Sequence, residues 1–130
     1  MTIVSKLPII AVIDDDASVR VGTENLLSSL RYNVHTFPSA EEFLRSGLPY
    51  DISCVIADVR MPGMSGIELL TLLITQGHRL PFIFITAFAD ETVSAKALSA
   101  GAICVLTKPF DKATLVRCLD AALADHGGRR

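Results

Sequence analysis

Residues 53–74 read SCVIADVRMPGMSGIELLTLLI. The first five, Ser53–Ala57, are mostly apolar at consecutive positions and too few for a helix, as expected of a strand covered on both faces. The run stops at Asp58, and Pro62 with Gly63 marks a turn. Ser65 and Glu68 then have the S-x-x-E spacing in which two side chains satisfy first-turn amides reciprocally. Ile67, Leu70, Leu73 and Ile74 continue at helical period. The segment is a strand, a turn and a helix, and the strand delivers a carboxylate at its carboxyl end.

The same unit recurs along the chain. Strands are predicted at Ile9–Ile13, Asn33–Phe37, Phe82–Ile85 and Ile103–Leu106 besides Ser53–Ala57. Val19, Leu26, Leu27 and Leu30 mark the first helix, and Leu115, Leu119, Ala122 and Leu123 the last. Ser39 with Glu42 offers a second capping-box spacing ahead of the second helix. The fourth helix shows only Val93 and Ala97. Five βα units with short connections imply an α/β fold, a parallel sheet with helices on both faces joined by right-handed crossovers. No internal repeat or interdomain linker interrupts it. The expected domain covers residues 1–125, with the Gly-rich, polar residues 126–130 as a flexible tail or the start of a linker.

The 130 residues suit one domain, half of them hydrophobic and a fifth charged, a globular composition. A net charge of −2 gives no electrostatic footprint for nucleic acid, so none is expected to bind this domain directly. The apolar run before Asp14 and the run Pro81–Ala89 are too short to span a bilayer, and no small-residue cleavage site follows the first. The expectation is a cytoplasmic protein without membrane contact. Cys54, Cys104 and Cys118 are widely spaced, without a CxxC pair or Cys/His cluster, and are expected to be small core residues.

Ligands of an open α/β sheet bind beyond the carboxyl ends of its strands. After the first strand come Asp14, Asp15 and Asp16; after the third, Asp58; after the fourth, Thr86; after the fifth, Lys108-Pro109. The second strand ends in Phe37-Pro38, with nothing reactive. Carboxylates at that density repel, and a hard, oxygen-seeking Mg²⁺ resolves the conflict while leaving room for a phosphoryl oxygen. An ionised carboxylate beside such a cation can attack phosphorus, with Lys108 and Thr86 on the phosphoryl oxygens. Each piece alone has a plainer explanation: Asp16 as a helix cap, Thr86 as a strand-edge β former, Lys-Pro as a solvated turn. Their conjunction at one sheet edge does not.

These segments resemble a known family. Ile10–Asp16 is similar to the opening strand and acidic pair of response-regulator receivers, and Val55–Gly66 to their phosphoacceptor segment. Phe84–Ala87 and Lys108-Pro109-Phe110 resemble the other two signature segments, so the likeness spans about residues 8–124. It implies a flavodoxin-like sheet of order 2-1-3-4-5 with five helices; the chemotaxis receiver is a standing example of that order. It further implies that Asp58 accepts phosphate from a phosphohistidine on a sensor histidine kinase. Asp15 and Asp58 would bind Mg²⁺ by side chain, Arg60 by its main-chain carbonyl and Asp14 through water. Thr86, with Ala87 beside it, and Lys108 would hold phosphoryl oxygens, and Lys108-Pro109 would be cis. The Met-Pro-Gly-Met-Ser-Gly run with Arg60 is closest to the nitrogen-fixation-regulator branch, whose members commonly carry DNA-binding output domains. That implies transcriptional output through a separate domain and phosphorylation-dependent homodimers through the fourth helix and fifth strand. Arg60 and Phe88, two residues after the phosphoacceptor and after Thr86, would flank the hydrolytic water and lengthen the phosphorylated state. One position departs from the family: Val105 stands where a Tyr or Phe usually takes part in switching.

Two other classes compete. Asp14-Asp15-Asp16-Ala17-Ser18 nearly matches the nucleophile motif of haloacid-dehalogenase-type phosphohydrolases, which would attack with Asp14. Such an enzyme needs a further acid pair after the Lys, and Asp111, Asp120 and Asp125 fall in the last helix or the tail. A pseudo-receiver, an interaction module without phosphorylation, would not need the acidic set with Thr86 and Lys108. A nucleotide- or flavin-binding domain lacks its Gly-rich phosphate loop.

Overall fold

In a computed structural model describing residues 8–47, 51–87 and 90–128, the five βα units appear in the expected order. They are β1 (Ile9–Ile13), α1 (Ala17–Ser29), β2 (Asn33–Phe37), α2 (Ala40–Arg45), β3 (Cys54–Asp58), α3 (Gly66–Thr75), β4 (Phe82–Thr86), α4 (Glu91–Ala100), β5 (Cys104–Thr107) and α5 (Lys112–Gly128). The last three strands sit within one residue of their predicted bounds. The sheet is wholly parallel, in the order β2-β1-β3-β4-β5. Helix α5 runs from Lys112 to Gly128.

Strand side chains alternate between two cores. Ala11, Ile13, Val55, Ala57, Phe82 and Phe84 point to the face covered by α2, α3 and α4 through Phe43, Leu69, Leu70, Leu73 and Ala97. Ile10, Val12, Cys54, Ile56, Ile83 and Ile85 point to the face covered by α1 and α5 through Leu27, Leu115, Leu119 and Ala122. The consecutive apolar runs in β1, β3 and β4 follow from this double cover. Cys54 is buried as expected, whereas Cys104 on β5 is only half-buried; Cys118 is buried as well, and desolvation pushes the Cys54 and Cys118 thiols up to about 12. Such thiols are unreactive near neutral pH. No helix among the described residues is long and apolar enough to cross a membrane.

Caps fix where the helices start. Ser65 and Glu68 form the complete capping box: Glu68 N–H donates to Ser65 Oγ at 3.1 Å and Ser65 N–H to Glu68 Oε1 at 2.9 Å. At α2 only one half forms. Glu42 N–H donates to Ser39 Oγ, but the Glu42 carboxylate turns to Arg45 at 2.7 Å. An exposed i,i+3 cation is a competing partner that S-x-x-E spacing does not reveal. The weakly patterned α4 is bounded by Asp90, which accepts from Thr92 and Val93 N–H, and by left-handed Gly101.

The chain moves outward from β1 to β2, then returns across β1 to β3. The crossover direction therefore reverses between β1 and β3, which opens a crevice at their carboxyl ends. The packing there is close. Gly66, the first residue of α3, donates its N–H to the Val59 carbonyl at 3.0 Å. A Cβ on Gly66 would overlap the Asp58 carbonyl oxygen and lie 2.7 Å from the Phe84 ring. Neither a backbone oxygen nor a buried ring can move aside, so overpacking outweighs the helix propensity that alanine adds. Gly66→Ala should destabilise the fold by about 2 kcal/mol, lowering the thermal midpoint by roughly 6–10 °C. An unchanged or higher midpoint in calorimetry would show that the contact at the base of β3 yields.

Candidate functional site: an acidic pocket at the carboxyl edge of the sheet

β1 and β3 are hydrogen-bonded neighbours, with Ile13 opposite Ala57. Their next residues, Asp14 and Asp58, therefore emerge side by side into the crevice. Asp14, Asp15 and Asp58 each offer a carboxylate oxygen, all within 4.8 Å of one another. Lys108, just past β5, sets its Nζ 3.4 Å from both Asp14 Oδ2 and Asp58 Oδ2. That is the outer limit of a hydrogen bond but well within ion-pair range.

The three acids differ in their surroundings. Asp14 is nearly buried and held at four points. Its N–H donates to the Phe37 carbonyl at 3.1 Å, and its own carbonyl accepts from Arg20 Nη1 at 2.7 Å. Its Oδ1 accepts from Asp16 N–H at 2.9 Å, and Lys108 faces its Oδ2. Burial pushes its carboxyl above the ordinary range, against the opposing pull of the Asp16 amide and Lys108. Asp58 is more open, its side chain 14% exposed against 3% for Asp14. Its Oδ1 accepts from Arg60 N–H at 3.0 Å. Asp15 is exposed. Burial alone would pull Lys108 down, but Asp14 and Asp58 outweigh it and hold its ammonium above the usual lysine value.

The third acid of the run has a different task. Asp16 is the N-cap of α1, accepting from Ser18 N–H at 2.9 Å and Val19 N–H at 3.4 Å. Thr86 ends β4 and is buried; its carbonyl accepts from Lys108 N–H at 2.8 Å, which joins the two signature segments. The Lys108-Pro109 bond is cis. Val105 lies opposite Phe84 in the β4–β5 register, half-buried against the α2–α4 core. Ala87 and the Arg60 side chain are exposed, and Phe88 lies outside the described residues.

Two further residues serve the site without any signal in a motif. Arg20 clamps the Asp14 carbonyl from one turn into α1, and Glu41 of α2 reaches across to the turn after β3. Neither contact follows from spacing within one element, because each depends on how a helix lies against another unit's loop. Among the described residues, the later acids that a phosphohydrolase would need are not in the pocket. Asp111 caps the start of α5, accepting from Thr114 N–H at 3.0 Å, and Asp120 is exposed on that helix. The Asp125 side chain lies outside the described residues.

Comparison with known proteins decides the family. Residues 10–120 match the model of the response regulator receiver domain. The chain belongs to that family. Among curated relatives, the transcriptional regulatory protein TdiR of Thauera aromatica is 41% identical over 87% of this chain and 50% of its own length. The transcriptional regulatory protein FixJ of Azorhizobium caulinodans is also 41% identical, over 86% of this chain and 53% of its own. A crystal structure described as FixJ-N superposes with a TM-score of 0.83 at 30% identity, covering 92% of this chain and 95% of that one. This receiver spans about half the length of the curated relatives it matches. It is the receiver domain of a two-component response regulator, similar to the nitrogen-fixation branch, and a phosphorylation switch rather than a turnover catalyst. The hydrolase and pseudo-receiver alternatives are not favoured.

The raised Asp14 carboxyl has a thermodynamic consequence. Its folded-state pKa lies above its unfolded value, so the receiver loses stability as pH rises from the ordinary carboxylate value, about 3.9, through the higher folded one. In the absence of divalent metal, Asp14→Asn removes that loss and keeps an oxygen for the Asp16 amide. This variant should melt higher than wild type in EDTA at pH 7, and the two curves should converge on acidification toward about pH 3.9. A lower midpoint at neutral pH would mean that the Lys108 contact outweighs burial.

Proposed function

We propose that Asp58 takes a phosphoryl group from a phosphohistidine of a sensor histidine kinase, with Mg²⁺ assisting from the acidic pocket. The observation that carries this reading is the meeting of three carboxylates with one ammonium at the β1–β3 crevice. The donors are all carboxylate oxygens, which suits a hard cation and not a soft one. Asp15 and Asp58 would hold Mg²⁺ by side chain, Arg60 by its main-chain carbonyl and Asp14 through water. Bound there, the ion would neutralise charge on the transferring group.

The chain's own residues divide the remaining work. An Asp58 carboxylate oxygen forms the new P–O bond as the P–N bond to the kinase imidazole breaks. The departing nitrogen keeps the bonding electron pair and takes up a proton. Lys108, already beside Asp58, balances charge on a phosphoryl oxygen, and the Thr86 hydroxyl donates to another. Asp14 is less suited to be the nucleophile, since its side chain is 3% exposed against 14% for Asp58.

Acetyl phosphate with Mg²⁺ should add one phosphoryl group to the wild-type chain and none to Asp58→Asn, as read by intact mass. Asp15→Ala should fold normally yet lose at least about 90% of the labelling rate, in keeping with the ~10–100-fold cost of disturbing a metal site. A label mapped to Asp14 in the peptide digest would support the hydrolase chemistry instead.

The output would be transcriptional and carried by a separate domain. Longer relatives, of whose length the match covers about half, are transcriptional regulatory proteins, which supports DNA binding through a separate domain and a cytoplasmic location. Phosphorylation would reposition α4 and β5, where Leu98 is half exposed at 50%, and pair two receivers there. Sedimentation of the beryllofluoride form should show dimers at concentrations where the untreated protein is monomeric. An unchanged monomer would count against pairing through this face.

A further inference from the structure

The turn from Arg60 to Ser65 carries the Arg60 carbonyl proposed above as a Mg²⁺ ligand, and its fixity would decide how well that carbonyl is presented. Its ends are tied within the sheet: Val59 N–H donates to the Ile85 carbonyl at 3.2 Å, and Gly66 N–H to Val59 at 3.0 Å. Arg60 N–H is held by Asp58 Oδ1. Among the described residues, one hydrogen bond reaches this turn from outside the β3–α3 unit. Met64 N–H donates to Glu41 Oε2 at 2.9 Å, across 23 residues of sequence.

The turn is shaped around that carboxylate. Gly63 has φ +78°, and a Cβ there would lie only 2.6 Å from Glu41 Oε2. Glycine is thus favoured for the left-handed backbone, and a Cβ there would displace the Glu41 carboxylate end. Met61 and Met64 pack into the same core as Ala40 and Phe43, the neighbours of Glu41 on α2. The Met64 amide also holds the Glu41 carboxyl below its ordinary range, so the acceptor is ionised at neutral pH.

We propose that Glu41 is a positioning residue for the pocket: by anchoring the Met64 amide it fixes the 60–65 turn and so aims the Arg60 carbonyl at the metal. The inference rests on the Mg²⁺ role proposed above and names the α2 residue that supports it.

The test uses the full chain as wild type, Glu41→Ala and Glu41→Gln. Mg²⁺ affinity is read by titration calorimetry, and Met64 amide exchange by NMR in metal-free buffer. Glu41→Ala should bind Mg²⁺ about tenfold more weakly, the low end of the ~10–100-fold loss seen for outer-shell partners, and its Met64 amide should exchange faster. Glu41→Gln keeps an acceptor oxygen and should stay within about threefold of wild type, because the hydrogen bond and not the charge positions the turn. Wild-type affinity in Glu41→Ala, with or without faster exchange or a lower melting point, would reduce the contact to a structural tie and overturn the proposal. Glu41→Gln binding as weakly as Glu41→Ala would overturn it too, by assigning the effect to charge. If wild type binds no Mg²⁺, or Asp15→Ala binds it equally well, the reading of the pocket itself fails and takes this inference with it.

Discussion

Three carboxylates whose oxygens lie within 4.8 Å repel one another, and a single ammonium from Lys108 sits against two of them. Left to local preference, such a group would spread into solvent. It stays together because β1 and β3 are adjacent parallel strands in fixed register, Ile13 beside Ala57, and that register is held by two cores. Slipping β1 by one residue would exchange its inward and outward sets between the α2–α4 face and the α1–α5 face. The hydrophobic effect thus supplies the force that confines the charges, and the charges supply the chemistry.

Confinement sorts acids that look alike in sequence. Asp14 ends a strand whose residues are buried on both sides, so it is desolvated and fastened by Arg20, Asp16 and Phe37. Asp15 points outward and is free to meet an ion, and Asp16 is spent on α1, whose first amides it caps. Asp58 stands between these extremes, open enough for a phosphoryl group yet within reach of Lys108. Three adjacent aspartates thereby acquire three different surroundings from their distance to the sheet edge.

Much of this was legible before any coordinates. Strand runs buried on both faces carry no polar alternation, which distinguishes parallel β from other choices, and the strand ends then point to the site. The Ser65–Glu68 box was legible because both partners lie in one turn. What was not legible depends on packing between units. Glu42 chose Arg45 over the Ser39 amide, Glu41 reached the turn after β3, and Gly66 proved to be wedged against the Asp58 carbonyl and Phe84. The cap of Asp16 was expected as its plainer use, yet only the backbone angles of the β1–α1 turn assign it over Asp15.

The site also constrains how a signal leaves it. An aromatic side chain opposite Phe84 could swing between two positions, but Val105 is β-branched, and its two γ-carbons restrict χ1. It lies half-buried against the α2–α4 core, where a small hydrophobe fills space without a polar end to exchange. Thr86, in contrast, is connected in two ways. Its carbonyl accepts from Lys108 N–H at 2.8 Å, which ties the fourth and fifth strand ends together. Asp90, four residues on, caps α4. A displacement of Thr86 would act on the Lys108 segment through that main-chain hydrogen bond. The hydrogen bond from Lys108 to the end of β4 is thus a main-chain link between the carboxyl ends of β4 and β5.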